Sequence, residues 1–231
     1  MVVTSTVHTR PKVQNSVAII EYAGNGIILT GRSVLDVLLY VMAFIINNKL
    51  CMKKLIFFID GQRSLHSAVL NMFSWYSGKS IVLDWFHLVE KIKEDLSAAM
   101  KGRHIRNKHL KHIVRFLWYG LFDRAIQYVR DIPESDIRDS TALDRLIRYF
   151  ERNRSCIPFY ALRKKLGLQN SSNRVECANN LVTSARQKKC GMSWSKEGSH
   201  ALTSLTAVVR NGHVRDWVEN RVIPFLFSKA A

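Results

Sequence analysis

The sequence predicts a mixed α/β sheet interrupted by an all-helical segment, and three observations predict it. Up to Leu83, β-prone and amphipathic stretches alternate in the order strand, strand, helix, strand, helix, strand, the pattern of a sheet covered by helices. Beyond Phe86 the apolar residues recur only at helical spacing, as far as about Arg154. The chain of 231 residues carries 35 Lys and Arg against 18 Asp and Glu, a net charge of +17. Its basic residues are spread from Lys79 to Arg221 rather than gathered in a tail, which describes a basic folded surface.

Each element has its own signal. Between Val13 and Thr30, QNSVAIIEY and GIILTG are β-prone runs joined by AGNG, which is turn chemistry. Ser33 is placed to N-cap a helix from about Val34 to Asn48. Lys54–Ile59 is apolar without alternation, as expected of a strand covered on both faces. Ser64–Tyr76 reads as a helix, and Ser80–Leu83 as a second buried strand running into Asp84. HLVEKIKEDLSAAMKG then closes on Gly102 as a C-cap, and RNKHLKHIVRFLWYGLFDRAIQYVR continues as helix until Pro133. TALDRLIRYFERN is a further amphipathic helix, followed by Pro158. Arg174–Lys189 reads as one helix with Gly191 just past its end, and a last pair covers Glu197–Asn211 and Val214–Val222. The expected organisation is residues 1–88 as the first part of the sheet domain, 89–170 as a basic helical insertion, and 171–231 as the returning helix with a helical tail.

Composition narrows the function classes. A hydrophobic fraction of 47% is that of a globular chain. The +17 charge and a pI near 10.0 call for a polyanionic partner, of which nucleic acid is the commonest. A ribosome-binding or membrane-surface protein also fits. Cys51, Cys156, Cys177 and Cys190 form no CxxC pair, which argues against structural zinc. With wide spacing and no signal peptide pattern they read as reduced thiols in a cytoplasmic setting. The most apolar run, Val34–Ile46, falls short of the roughly 20 residues that span a bilayer, so no membrane partner is expected.

Three acids stand where chemistry is possible. Asp60 in FFIDG and Asp84 in IVLDWFHL follow apolar strands, and Glu176 in NRVECANN opens a late helix. Strand ends of an α/β sheet hold functional groups rigidly. Carboxylates converging there can bind a pair of Mg²⁺ ions and drive phosphodiester chemistry. Each acid also has a purely structural use. Asp60 before Gly61 is good turn chemistry, Asp84 is a candidate N-cap for the helix carrying Phe86 and His87, and Asn173 to Glu176 has capping-box spacing, the stronger reading on spacing alone. His87 reads as a packed histidine, and Trp85, Phe86, Trp194 and Trp217 as core. Arg103–His112 is either a phosphate-tracking face or a solvated basic one.

The blocks LIFFIDG, IVLDWFHLVEKI and SSNRVECANNLVTSARQKKCGMSWSKEGSHAL, in this order, resemble bacterial insertion-sequence transposases of the DDE type. The last block is the most specific, with an acid opening a helix, an R-Q-K end and G-M-S-W-S. The resemblance implies an RNase H-like fold, with catalytic acids on the first strand, at the end of the fourth strand and on a late helix. An all-helical insertion is implied between the fifth strand and that helix. It implies DNA strand cleavage and transfer with Mg²⁺ or Mn²⁺, acting on element ends. By the same resemblance Asp60 matches the second acid and Glu176 the third, both as metal ligands. Asp84 is the alternative second acid, and Glu197 a weaker alternative third. DNA contacts are expected from Arg103, Arg106, Lys108 and Lys111 in the insertion and from Arg186, Lys188 and Lys189 in the late helix. A homo-oligomer or a full-length transposase is a further expected partner.

The first acid is missing: no Asp or Glu precedes Glu21, and Glu21 and Asp36 fall at second-strand and helix positions. The expectation is therefore a chain truncated before the first strand, with an incomplete RNase H-like sheet, weak or no activity of its own, and exposed strand edges that favour aggregation. A non-enzymatic DNA-binding remnant that occupies element ends is the alternative.

Overall fold

The computed structural model describes residues 2–4, 15–184, 187 and 194–227. The strands are β1 (Val2–Thr4), β2 (Ser16–Tyr22), β3 (Asn25–Gly31), β4 (Leu55–Ile59) and β5 (Lys79–Leu83). The helices are α1 (Val34–Asn47), α2 (Arg63–Met72), α3 (Trp85–Ala99), α4 (Arg103–Trp118), α5 (Phe122–Arg130), α6 (Ser140–Asn153), α7 (Tyr160–Lys165), α8 (Asn173–Asn179), α9 (Lys196–Arg210) and α10 (Val214–Asn220). The chain divides into two compact units, one of residues 1–80 with 172–231 and one of residues 81–171. The first and last expected segments thus form one body, and the helical unit begins at residue 81.

The first unit is built on a mixed sheet with strand order β3-β2-β1-β4-β5, the unit boundary falling inside β5 after Ser80. β2 and β3 form an antiparallel hairpin in which Tyr22 pairs with Asn25. Its two connecting residues, Ala23 and Gly24, have φ of 49° and 82°, the doubly positive pattern of the tight turn whose twist suits a hairpin. Residues Ser16–Ile20 are all buried, so β2 is covered on both faces. Helix α1 packs on β2 and β3, α8 on β1 and β2, and α9 on β3. α1 starts where the sequence places it. Ser33 Oγ accepts from Asp36 N at 3.1 Å and Asp36 Oδ2 accepts from Ser33 N at 2.9 Å, a reciprocal cap. Its inner face buries Val37, Leu38, Val41, Phe44 and Ile45, two ridges at helical spacing. Phe44 also meets the rings of Phe225 and Phe227 edge-on at 5.4 and 4.9 Å.

The first strand is the main correction. The sequence reading expects it to be missing, yet Val2–Thr4 forms β1 in the middle of the sheet, antiparallel to β2 and parallel to β4. β2 and β4 are therefore not left with open edges facing an empty position. The end strands are β3 and β5. Three residues with no alternation carry too little pattern to be recognised as a strand from sequence.

The second unit is helical. α3 packs on α4 and α6, α5 on α4 and α6, and α7 on α4. Leu88, Ile92, Leu96 and Ala99 form the fully buried ridge of α3, with Ile113 and Leu117 of α4 and Leu146 and Phe150 of α6 also fully buried. Two glycines differ from their expected roles. Gly102 does not close α3; it stands at φ 115° as the residue before α4. Gly120, at φ 71°, breaks the long helical run into α4 and α5. An added Cβ there would lie 3.2 Å from the Phe159 side chain, so the position excludes larger residues twice over.

Candidate functional site

Asp60 sits at the C-terminal end of β4, directly after the buried Phe57, Phe58 and Ile59. Its Oδ1 accepts a hydrogen bond from Gln62 N at 2.9 Å, and Gly61 between them stands at φ 90°. The turn chemistry is thus realised, and it holds the carboxylate at a fixed place on a rigid strand end. β1 is its parallel neighbour. Val2 pairs with Phe58, and continuing that register by two residues brings Thr4 level with Asp60. No carboxylate stands in Val2–Thr4.

Glu176 lies on α8 in the same unit. The helix buries Val175, Ala178 and, one turn on, Val182, and Glu176 is exposed beside that ridge. The expected capping box is not formed. Ser172, not Asn173, is the N-cap, with no side-chain cap bond, and its carbonyl accepts from Val175 N at 2.7 Å. An ion pair between Arg174 and Glu21 joins α8 to β2. From Asn180 to Ser184 the helix widens into a π-helical turn, a rare distortion that recurs at functional sites. The expected continuous helix to Lys189 is therefore interrupted. Arg186, Lys188, Lys189 and Cys190 lie outside the described residues.

Glu197 is less well placed to join Asp60. It is in the first turn of α9, and α9 packs on β3. β3 is three strand positions from β4 in the sheet, about 14 Å at the usual interstrand spacing. Glu176 belongs to a helix over β1 and β2, nearer to β4. Glu197 instead lines a cavity of about 670 Å³ with Arg32, Asp36, His200, Asn15 and Thr203. Burial and the nearby Arg32 lower the pKa of His200 there, against the pull of Glu197 and Asp36. The wall behind is a polar lock: Gln187 donates to Thr203 Oγ1 and Ser199 O at 2.9 Å each, and Asn15 donates to Ser199 Oγ at 2.8 Å.

Asp84 belongs to the second unit. It is 1% exposed, and its Oδ1 accepts from Phe86 N at 2.7 Å and His87 N at 3.2 Å. That is the N-cap of α3. The residues around it are built for anchoring. Trp85 N donates to Asn170 O at 3.0 Å, the Tyr160 hydroxyl donates to Leu83 O at 2.8 Å, and Asn170 donates to Tyr160 O at 2.8 Å. Burial raises the Tyr160 phenol well above its ordinary pKa, which keeps it a donor. Trp85, Trp118 and Tyr160 pack as one aromatic cluster. The DWFHL block thus ties the ends of the helical unit together.

The basic helix α4 carries five Lys and Arg and no acid. Arg103, Lys108, Lys111 and Arg115 are exposed, while Arg106 is half-buried and bonded to Asn107 and Ser97. His104, Lys108, Lys111 and Arg115 fall along one line of the helix by their spacing. Arg115 extends the expected set; it lies one helical turn beyond Lys111 and the same periodicity reaches it. His109 faces inward.

Among the described residues no group of three or more His, Cys, Asp and Glu is positioned to hold a metal ion, and no helix is long and apolar enough to cross a membrane. Asp60 and Glu176 are hard oxygen donors suited to Mg²⁺, but the described residues do not complete a ligand set around them.

Fold and site together define a mixed α/β unit with a strand-end aspartate, joined to a helical unit with a basic face. A model of an uncharacterised protein family (UPF0236) matches residues 32–221, and the chain belongs to that family. No curated protein and no solved structure matches it significantly.

Proposed function

We propose that this chain is a transposase-type DNA-binding protein of the DDE class with an RNase H-like sheet and an incomplete catalytic site. One observation carries the reading: Asp60 ends the fourth strand beside a first strand, Val2–Thr4, that brings no carboxylate. The placement of the other elements supports it. A helical unit lies between the fifth strand and the helix that bears Glu176. Glu176 is on a helix packed over β1 and β2, next to β4 in the sheet. In a complete site the two carboxylates would share Mg²⁺ or Mn²⁺ with a third acid. This chain offers none on β1, and we derive no catalytic step through the metal. Its own contribution is DNA binding through phosphates along α4, whose acid-free exposed face suits a polyanion.

The test uses the purified chain and duplex DNA from the sequence around its gene, including any terminal inverted repeats found there. The expected result is salt-sensitive DNA binding with no strand cleavage or transfer in Mg²⁺ or Mn²⁺. Asp60→Asn should bind DNA as the parent does. Metal-dependent cleavage that Asp60→Ala abolishes would overturn the incomplete site. Failure to bind DNA at low salt, or tighter binding to structured RNA, would overturn the DNA-binding reading.

A further inference from the structure

We propose that the outer face of α1 is a self-association surface on which a second copy of this chain docks by an antiparallel α1–α1 contact. The inference does not depend on the functional reading above. α1 reads VLDVLLYVMAFIIN, apolar on every side, with Asp36 and Asn47 its only polar residues. A helix apolar all round is normally covered all round. Here one side is buried on β2 and β3, with α2 packed beside them, and the side facing away is exposed. Leu35 is 55% exposed, Leu39 46%, Tyr40 48% and Ile46 55%. Such a contiguous patch marks an interaction site rather than scattered surface leucines.

Two features select a second copy as the occupant. The first is spacing. Leu35, Leu39, Met42 and Ile46 follow one another at intervals of four, three and four residues, a seam that fits a partner helix. The intervals read the same in both directions about a point between Tyr40 and Val41. A two-fold axis there sets Leu35 against the partner copy's equivalent of Ile46 and Leu39 against that of Met42, so every apolar side chain meets an apolar one. An isologous contact requires this self-complementarity. The second is charge. Two chains of +17 repel over most of their surface, and α1 carries no Lys or Arg. The repulsion is least where this face meets itself. A stable dimer buries roughly 800 Å² per partner. A single helix face supplies less than this by itself, so the dimer is of the weak, reversible kind, strengthened at high salt as the net charge is screened.

Sedimentation equilibrium of the full chain, from micromolar to hundreds of micromolar and at low and high salt, tests the proposal. The expected result is a monomer–dimer equilibrium that tightens with salt. Leu39→Glu puts two carboxylates at the axis and should raise the dissociation constant by about 100-fold or more, with an unchanged far-ultraviolet spectrum because Leu39 is exposed. The double variant Leu35→Cys/Ile46→Cys should give intermolecular disulfide under mild oxidation, as the antiparallel register requires. A chain that stays monomeric throughout, a dimer indifferent to Leu39→Glu, or a monomer that instead binds lipid vesicles through this face would each overturn it.

Discussion

The His109 ring of α4 lies 3.0 Å from Asp136 Oδ2, in the short turn before α6. Its other nitrogen is 3.0 Å from the Tyr128 hydroxyl of α5. A carboxylate only accepts, so Nε2 carries a hydrogen, and in the neutral ring Nδ1 accepts from Tyr128. Burial and Asp136 raise the Tyr128 phenol, so it remains protonated and able to donate. One buried ring therefore sets how α4 sits on its neighbours. His109→Ala should lower stability by about 2 kcal/mol, the scale of a hydrogen bond to a charged group lost from a buried position. Urea unfolding measures it, with His109→Gln expected to recover part of the loss. A change below about 0.5 kcal/mol, the range of an ordinary surface substitution, would show the ring to be incidental.

The exposed line of α4 gives a second expectation. If Lys108, Lys111 and Arg115 each neutralise a phosphate, changing all three to Ala should reduce the slope of log K against log salt by about 3. Stability should hardly move, because the three are exposed. An unchanged slope would place DNA elsewhere on the chain.

The β2–β3 turn gives a third. Ala23 holds a φ of 49°, a left-handed conformation that costs an L-residue with a Cβ roughly 1 kcal/mol. Asn tolerates it better and is preferred before Gly in this turn. Ala23→Asn should stabilise the protein by up to about 1 kcal/mol, seen as a higher thermal midpoint. A lower midpoint would mean that the turn is held by something other than its own backbone preference.

His200 sets a pH dependence. Its pKa is lowered first by burial and next by Arg32, with Lys196 acting the same way and Glu197 and Asp36 opposing. The folded state thus prefers the neutral ring, and as pH falls the unfolded chain takes up the proton first. The stabilisation is in place above about 6.5, the ordinary histidine value, and is lost as pH falls through the lower folded value. His200→Gln should flatten that part of the stability profile. A parent and variant with parallel profiles between neutral and mildly acid pH would rule out this ring as the source.

What could be read before the structure was set by how much pattern each element carries. β4 and α1 are uninterrupted or nearly uninterrupted apolar runs bounded by turn and cap residues, and both lie where expected. β1 has three residues, and pairing partners define it rather than its own composition. Gly120 is invisible as a break because a glycine inside an apolar helical rhythm is often tolerated. Its φ of 71° and the closeness of Phe159 to where a Cβ would stand mark the position only once the chain is folded. At the candidate site the turn-forming use of Asp60 was legible, and the bond from Gln62 N realises it. Asp84 could be read as a cap or as a ligand. Its two short backbone bonds are those of the cap. The inward turn of His109 within RHIRNKHLKH was not legible, since it depends on Tyr128 and Asp136 from distant parts of the chain.

The division of the chain also orders events during its synthesis. The helical unit is continuous, residues 81–171, while the other unit needs both ends, 1–80 and 172–231. As the nascent polypeptide leaves the ribosome, the helices can close on themselves first, through contacts near in sequence that form fast. The sheet must wait with β1, β2 and β3 already translated until α8 and α9 emerge to cover them. For that interval its apolar strands lack their covering helices, and the arrival of residues 172–231 decides when the wait ends.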